Sequence, residues 1–561
     1  MNTGRPETPR SRRERGPKGR AIEDAALADV RALLGNKERR RDLLIEHLHL
    51  IQDKYGCLEA RHLRALAEEM RLSQAEVYEV ASFYDHFDII KEGEQKPAPL
   101  TIRVCESISC MIAGADQLIE RLSAGVDPKQ VRVVRAACVG RCAGAPAARV
   151  GDREVENATV EGLLRDARER HTAVVVPKYV ALDEYRKGGG YELYESVRSG
   201  KLGAEAIIDK LQSSGLRGLG GAGFPPGKKW QFVRSYKGPR LMSINGDEGE
   251  PGTFKDRWFL ERDPHRTLEG ALIAAHCVEA QRIYFYMRNE YPGVLEILRR
   301  EIAALEAAGI AAPGFIELRR GAGAYICGEE SAMIESIEGK RGLPRNRPPY
   351  IAEVGIFGRP TLNQNVETLW WIRDILQKGS EWFAKQGREG HPGPRSWSVS
   401  GRVKKPGVVQ APAGVTAREL IDDHCGGMLD GHVFTAYLPG GASGGILPAA
   451  MAGIPLDFGG ELAKVGAFVG SHAVVVFSNH DDVKGAVINL LKFFKHESCG
   501  QCTPCREGTD KMVKLLEAKG ALDEPALRDL ETVMRDSSIC GLGQAAPNPV
   551  AHLLTLFRKG S

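Results

Sequence analysis

The sequence lacks any uninterrupted run of about 18 apolar residues, the length a helix needs to span a bilayer, so no transmembrane segment is read in it. The nearest stretch, residues 465–477, is broken by Gly470, Ser471 and His472 and reads as buried core. An export signal is missing too. The first twenty residues hold seven Arg or Lys against two Glu, with no apolar h-region, which excludes a secretory signal. An Arg-rich mitochondrial presequence is the alternative, but the stretch has almost no apolar face, so residues 1–27 are expected to be a disordered basic tail of a cytoplasmic protein. A strong charge of one sign is also absent. With 77 Lys and Arg against 73 Asp and Glu, the net charge of +4 gives no field that argues for nucleic acid or a membrane surface. Without export, the twelve cysteines read as metal ligands or core residues and not as disulfides.

What is present is a long soluble-type chain. At 561 residues, with 42% apolar and 27% charged residues, it predicts about three to five domains. Residues 29–82 show helical periodicity, for example Leu43, Leu44, His47, Leu48 and Ile51. From 100 to about 170, strands and helices alternate in a small α/β pattern. A linker-like segment with Gly188, Gly189 and Gly190 leads to a central region of helix–strand alternation that predicts a parallel sheet. Residues 396–476 are strand-rich, with turns at Lys405-Pro406-Gly407 and Pro439-Gly440-Gly441, and the remainder is helical.

Two cysteine sets carry chemistry. Cys499, Cys502 and Cys505, followed by the distant Cys540, form a C-x2-C-x2-C run plus one, which suits a four-iron cubane. Structural zinc is the rival reading, although zinc sites more often show two separated pairs. Cys105 and Cys110, then Cys138 and Cys142, form two pairs that suit a two-iron cluster, with zinc again the alternative. Cys57 and Cys277 lie in helical patterns and read, with Cys425, as core packing.

Four further segments could hold a ligand. Gly218-Leu219-Gly220-Gly221-Ala222-Gly223 spells G-x-G-x-x-G, but it follows a helical stretch and precedes Phe224-Pro225-Pro226, so the strand–loop–helix context of a standard dinucleotide fold is not met. Its bare backbone still lets a phosphate or flat ring approach closely. The strand at 240–244 runs into the acidic loop Asn245-Gly246-Asp247-Glu248-Gly249-Glu250, placed where open α/β sheets bind ligands. Residues 321–330 join a Gly-rich turn to a helix start. Asn363-Gln364-Asn365 precedes a helix whose N-terminus is expected to receive an anion. Taken singly, the last three segments are equally compatible with ordinary turns and caps, whereas five glycines from Gly215 to Gly223 are entropically costly for a mere surface loop.

Together these segments and the cysteines resemble the flavin-bearing, NADH-oxidising subunit of respiratory complex I and its soluble relatives, over residues 215–369 and 499–544. The N-terminal third resembles that family's small two-iron partner subunit, through residues 50–52, 80–84 and 138–146 with both cysteine pairs. Two subunits are therefore read as fused. Residues 246–256 and 539–544 are most similar to the β (diaphorase) subunit of soluble NAD-dependent molybdenum or tungsten formate dehydrogenase; the diaphorase of NAD-linked hydrogenase, or a fused complex I subunit, is the alternative.

The resemblance implies a multi-domain α/β fold. Its parts are a helical domain (28–97), a thioredoxin-like [2Fe-2S] domain (98–172), a Rossmann-like FMN- and NAD-binding domain (173–392), a ubiquitin-like soluble-ligand-binding β-grasp domain (393–480) and a helical bundle with [4Fe-4S] (481–561). FMN would be cradled by Gly218, Gly220, Lys229, Asn245, Asp247, Glu248, Tyr325, Gly328, Glu329 and Asn365, with Gly221 and Gly223 completing the loop. NAD would stack on the flavin, helped by Phe224 and Phe232, with Glu250 and Glu330 as the reaction-site acids that position the nicotinamide amide or ribose. Cys327 would pack beside the flavin. The eight ligating thiols would be Cys105, Cys110, Cys138, Cys142, Cys499, Cys502, Cys505 and Cys540. Four positions depart from the family pattern: Leu219 stands for Arg, Tyr350 and Arg347 stand for an adenine-stacking Phe and a Lys, and Gln364 differs near the phosphate site. The implied partner is a catalytic formate dehydrogenase α subunit with a molybdenum or tungsten pterin and further clusters. A zinc-stabilised scaffold without redox activity is the reading of a different class.

Overall fold

A computed structural model describes residues 19–557. The expected tail thus falls mainly outside the described residues, but its end does not. Helix Asp24–Leu34 begins inside the 1–27 segment, because Ala26, Val30 and Leu34 repeat at helical spacing and are buried against the next helices. Ser73 and Glu76 form a reciprocal capping box at the start of helix Gln74–Ala81. Cys57 is buried as expected, but it sits in the turn after helix Leu44–Tyr55 and not in a helix.

The two-iron segment is a four-stranded sheet in the order Val131–Ala136, Leu100–Cys105, Ala148–Val150, Arg153–Val155, with the first pair parallel and the others antiparallel. Cys105 ends one strand and Cys138 lies just beyond its parallel neighbour, so the two cysteine loops leave the sheet at the same edge.

The central domain is built on a fully parallel sheet in the order Thr361–Asn365, Arg240–Gly246, Ala280–Met287, Ile316–Arg320. The last strand in sequence returns beside the first. The chain therefore reverses direction of progress between these two, and a crevice opens at their carboxyl ends. Asn365 is the register partner of Asn245 at that point. Helices Ala204–Ser213, Pro264–Cys277 and Val366–Lys378 cover one face of the sheet.

Two expectations change here. Gly188–Gly190 is not a linker but a tight turn between helices Leu182–Lys187 and Glu192–Arg198. A side chain on Gly190 would meet the buried Tyr185 ring at 2.1 Å. The Gly-rich loop is also followed directly by a helix, Pro226–Ser235. Proline at its first turn is compatible with a helix start because that N–H would be unpaired anyway.

Beyond 393 a five-stranded mixed sheet forms, in the order Gly407–Pro412, Pro394–Gly401, Ala473–Ser478, Phe434–Leu438, Leu447–Pro448. Strand Ala473–Ser478 is wholly buried, as expected for the apolar stretch around it. Helices Val483–Glu497, Thr503–Glu517, Glu524–Ser537, Gly541–Ala545 and Asn548–Leu556 form the terminal bundle. One continuous hydrophobic cluster joins the N-terminal helices, a face of the parallel sheet (Leu241, Tyr284, Tyr286), the mixed sheet and this bundle. No helix among the described residues is long and apolar enough to cross a membrane.

Polar contacts fix the N-terminal helices on the sheet. Arg319, almost completely buried, bonds Asp42 through its carbonyl (2.8 Å) and carboxylate (2.5 Å), Glu46 (3.0 Å) and Glu317 (2.7 Å). The Tyr84 hydroxyl donates to the Lys340 carbonyl (2.7 Å) and pairs with the Ser336 hydroxyl (2.9 Å). Removing one member of a buried ion cluster leaves the others uncompensated, at a cost of about 3–5 kcal/mol. Arg319→Ala is therefore expected to lower the first thermal unfolding transition and expose the interface to protease. A wild-type melting curve and digestion pattern would contradict this role for Arg319.

Candidate functional site

The crevice is lined by the four segments singled out in the sequence. Asn245 donates to the Gly328 carbonyl (2.9 Å) and accepts from the Asp247 N–H (3.1 Å), so the acidic loop and the 321–330 turn are tied across the strand end. On the other side, the Leu219 N–H donates to Thr368 Oγ1 (2.9 Å), which seats the Gly-rich loop on the first turn of helix Val366–Lys378. Gly220 approaches Asn365 so closely that a Cβ would lie 3.0 Å from it. No backbone N–H from Gly220 to Gly223 has an acceptor among the described residues. Such free N–H groups suit a phosphate.

The helix end that the sequence suggested as an anion site is partly capped by the chain itself. The Asn365 carboxamide oxygen already accepts from the N–H groups of Glu367 (3.0 Å) and Thr368 (3.3 Å). The Asn365 amide nitrogen donates to Asp256 (2.6 Å). Behind it, Lys255 is buried between Asp256 (2.9 Å) and Glu367 (2.8 Å). Burial opposes the Lys255 charge, but these two carboxylates outweigh it and hold the ammonium above its ordinary range. Sequence reading missed Lys255, Asp256 and Glu367. Lys255 and Asp256 stand just after the acidic loop, but their partner Glu367 is over a hundred residues away, and no local spacing announces the pairing.

The expected site residues divide. Asp247 is buried with one carboxylate oxygen unpartnered, and burial pushes its pKa well up. Ser243 Oγ, Asn363 Oδ1 and Gln364 Nε2 are also buried without partners. Strand alternation puts Gln364, paired with Ile244, on the face opposite Asn245 and Asn365. Glu248 is engaged by the chain's own donors. Its carboxylate accepts from the N–H groups of Asp256 (2.6 Å) and Arg257 (3.0 Å) and from the Tyr291 hydroxyl (3.0 Å), and burial beside Asp256 pushes its pKa up to about 7. Glu329 caps helix Glu330–Ile337 by accepting from Ser331 (3.0 Å) and Ala332 (2.9 Å), and pairs with Arg347.

Glu330 receives Lys229 (3.0 Å) and Arg347 (3.3 Å); burial works against its charge, but Lys229 and Arg347 hold its pKa below the usual range. Glu250 is buried and accepts from the Tyr325 hydroxyl and from Ser443. Phe224 (45% exposed) and Phe232 (54%) form an exposed aromatic pair with ring centroids 6.2 Å apart, and Tyr350 is 58% exposed. Open rings of this kind can receive a planar ligand. Cys327 is fully buried against Gly342, on the side facing Tyr84.

Both cysteine sets converge, and all twelve cysteines are free thiols. In the first set Cys138 and Cys142 sulfurs are 3.5 Å apart, and Cys105 contacts Cys110 and Cys138. Backbone N–H groups of Gly140 and Ala147 donate to the sulfurs of Cys138 and Cys110, both at 3.4 Å. This buried, N–H-solvated thiol set fits a two-iron cluster. In the second, Cys502 and Cys540 stand at the starts of two helices, Cys505 lies against Ser498 (3.3 Å), and Cys499, Cys502 and Cys505 face one another. That donor set fits a four-iron cluster. The unpartnered buried polar atoms and the side-chain-free loop of the crevice fit a flavin mononucleotide.

Each thiol set is wired to the crevice. Arg288 donates to the carbonyls of Cys138 and Glu248, both at 2.6 Å. Gly140, in the loop between Cys138 and Cys142, lies so close to Tyr291 that a Cβ would overlap its hydroxyl. Glu497, two residues before Cys499, accepts from the Tyr325 N–H (2.9 Å).

Comparison with known proteins agrees with this layout. The family described as the Nuo51 FMN-binding domain matches residues 211–374, and a thioredoxin-like [2Fe-2S] ferredoxin family matches 30–166. An NADH-ubiquinone oxidoreductase-F iron-sulfur binding region matches 485–560, and an SLBB domain matches 398–447. The NADH-quinone oxidoreductase F 2 subunit of Rhizobium meliloti (strain 1021) is 41% identical over 401 residues, 69% of this chain and 94% of the relative. The NADH-quinone oxidoreductase F subunit of Aquifex aeolicus (strain VF5) is 42% identical over 68% of this chain and 90% of the relative. A solved structure of NAD+-reducing [NiFe]-hydrogenase in the air-oxidized state aligns with a TM-score of 0.80 at 32% identity, covering 93% of this chain and 94% of that one.

Lys255→Met would leave Asp256 and Glu367 as buried, unpaired charges beneath Asn365, a local penalty of about 3–5 kcal/mol. The purified variant is expected to lose FMN severalfold while keeping its iron. Full flavin content would show that the cradle does not depend on this lysine.

Proposed function

The chain belongs to the NADH-quinone oxidoreductase F-subunit family, and on that premise we propose that it exchanges electrons between NAD(H) and the metal centre of a separate catalytic subunit. Its cofactors are FMN, NAD(H), one [2Fe-2S] and one [4Fe-4S] cluster. The observation that supports this reading best is the convergence of both thiol sets on one crevice, through Arg288 on one side and Glu497 and Tyr325 on the other. FMN accepts electrons singly or in pairs and so supplies the link between a hydride carrier and one-electron clusters.

The protein's own contribution is placement. Lys229 and Arg347 hold Glu330 at one side of the crevice, and Tyr325 and Ser443 hold Glu250 at the other. In the proposed arrangement these two carboxylates orient the nicotinamide, and the Phe224–Phe232 pair and Tyr350 receive the adenine. The free N–H groups of 220–223 take the flavin phosphate, and Asp247, Asn245 and Asn363 meet its hydroxyls. Glu248 serves the cradle indirectly, by capping the helix that carries Lys255 and Asp256. The eight cysteines named from the sequence are the proposed cluster ligands.

The proposed electron source is formate, oxidised on a molybdenum- or tungsten-pterin α subunit in the cytoplasm, because residues 246–256 and 539–544 are most similar to formate dehydrogenase β subunits. A hydrogenase partner is the second reading, favoured by the near-complete overlap with the NAD+-reducing [NiFe]-hydrogenase chain. The native complex should reduce NAD+ with formate. Hydrogen-dependent reduction with no formate activity would replace the first reading by the second. Glu250→Gln is expected to slow NADH-to-ferricyanide turnover by at least about tenfold, the scale of one charge-assisted hydrogen bond, with flavin and iron unchanged. An unchanged rate would remove Glu250 from the site.

A further inference from the structure

The glycine-rich turn 439–445 of the mixed-sheet domain read from the sequence only as a turn, yet it reaches the crevice. Strand Phe434–Leu438 delivers it, and Gly441 is fixed by donating to the Ala473 carbonyl (2.8 Å). Gly441 has φ +80°, and a side chain there would meet Glu250 Cγ at 2.6 Å, so only glycine lets the turn come this close. The next residues form a short 3-10 turn, Ala442–Gly444, which presents Ser443 to Glu250. Both the N–H and the hydroxyl of Ser443 donate to Glu250 Oε1, each at 2.7 Å. The far side of the turn is anchored as well. Asn548 in the cluster-bearing bundle donates to the Ser443 carbonyl (3.0 Å) and is itself held by Arg535 (3.0 Å).

Counting acceptor sites gives these bonds a consequence. A carboxylate offers about four lone-pair sites on its two oxygens. Ser443 fills both on Oε1, and the Tyr325 hydroxyl fills one on Oε2. One site on Oε2 is left, in a single orientation, on a buried group that cannot turn without breaking charge-assisted bonds. A lone acceptor aimed in one direction suits a single N–H donor such as a carboxamide.

We propose that Ser443 is a positioning residue of the nicotinamide site: it locks Glu250 so that one carboxylate lone pair faces the nicotinamide carboxamide, which makes the mixed-sheet domain part of the site. This rests on the reading of Glu250 as a nicotinamide ligand.

The test is equilibrium binding of NAD+ to the oxidised holoprotein by titration calorimetry, where no turnover occurs, with flavin and iron measured on every variant. Ser443→Ala is expected to weaken NAD+ binding about five- to tenfold, the scale of one hydrogen bond of ordinary strength, because the Ser443 N–H still holds Glu250. Ser443→Thr, which keeps the hydroxyl, should bind within about twofold of wild type. The double variant Glu250→Gln with Ser443→Ala should bind no more weakly than Glu250→Gln alone, because Ser443 acts only through Glu250. Equal weakening in Ala and Thr, additive losses in the double variant, or loss of flavin or iron in Ser443→Ala would overturn the proposal. If Glu250→Gln weakens binding but Ser443→Ala does not, Ser443 is excluded and Glu250 stands. Wild-type binding by Glu250→Gln would remove the Glu250 reading and the proposal with it.

Discussion

The site depends on one strand pairing. Because strand Thr361–Asn365 returns to lie parallel to Arg240–Gly246, with Asn365 opposite Asn245, two chain reversals open side by side at the same sheet edge. One continues into the acidic loop and the other into helix Val366–Lys378. A one-residue slip of strand Thr361–Asn365 would turn Asn365 to the other face of the sheet. It would also separate Asn365 from Asp256 and from the Gly-rich loop, so that loop and the Lys255 network would lose their common anchor beside Asn245.

Across this sheet the protein buries several charged groups, each compensated at least in part by a partner from a distant segment. Lys255 lies between Asp256 and Glu367, Arg288 between the Cys138 and Glu248 carbonyls, and Arg319 among Asp42, Glu46 and Glu317. Buried ion groups of this kind add little net stability over apolar packing, but they fix geometry, since a misplaced partner leaves a charge without solvation. That suits an electron carrier, whose centres must be held at set separations. The two-iron loop rests directly on Tyr291 and Arg288, and the segment leading to Cys499 hangs from Tyr325, so neither cysteine set can shift without moving the crevice wall.

Much of this was legible in the sequence because it is local. Helix periodicity and the alternation of the parallel-sheet region describe single segments, and apart from the turn at Cys57 these fold as read, while the cysteine spacings mark loops that the fold brings together. The cap at Asn365 was visible as a residue type in the right place, but its occupancy was not. The side chain that announces the helix start also takes up the Glu367 and Thr368 N–H groups, so less of the helix end is left for an anion. The partners of Glu248 were hidden for a similar reason: within an acidic loop nothing says which carboxylate the chain's own donors take up, and the Asp256 and Arg257 N–H groups with Tyr291, forty-three residues on, bind this one. Lys255 with Glu367, and Ser443 with Glu250, pair across 112 and 193 residues and are set by topology alone.

The central claim is that one chain brings a flavin and two iron–sulfur clusters to a single nicotinamide site. Anaerobic purification followed by quantification of iron, sulfide, zinc and FMN per chain, with EPR of the NADH-reduced sample, tests it most directly. About six irons, one FMN and signals from two reduced cluster types are predicted for one [2Fe-2S] and one [4Fe-4S] centre. Zinc in both cysteine sets with no flavin would contradict the account and leave a structural scaffold in its place.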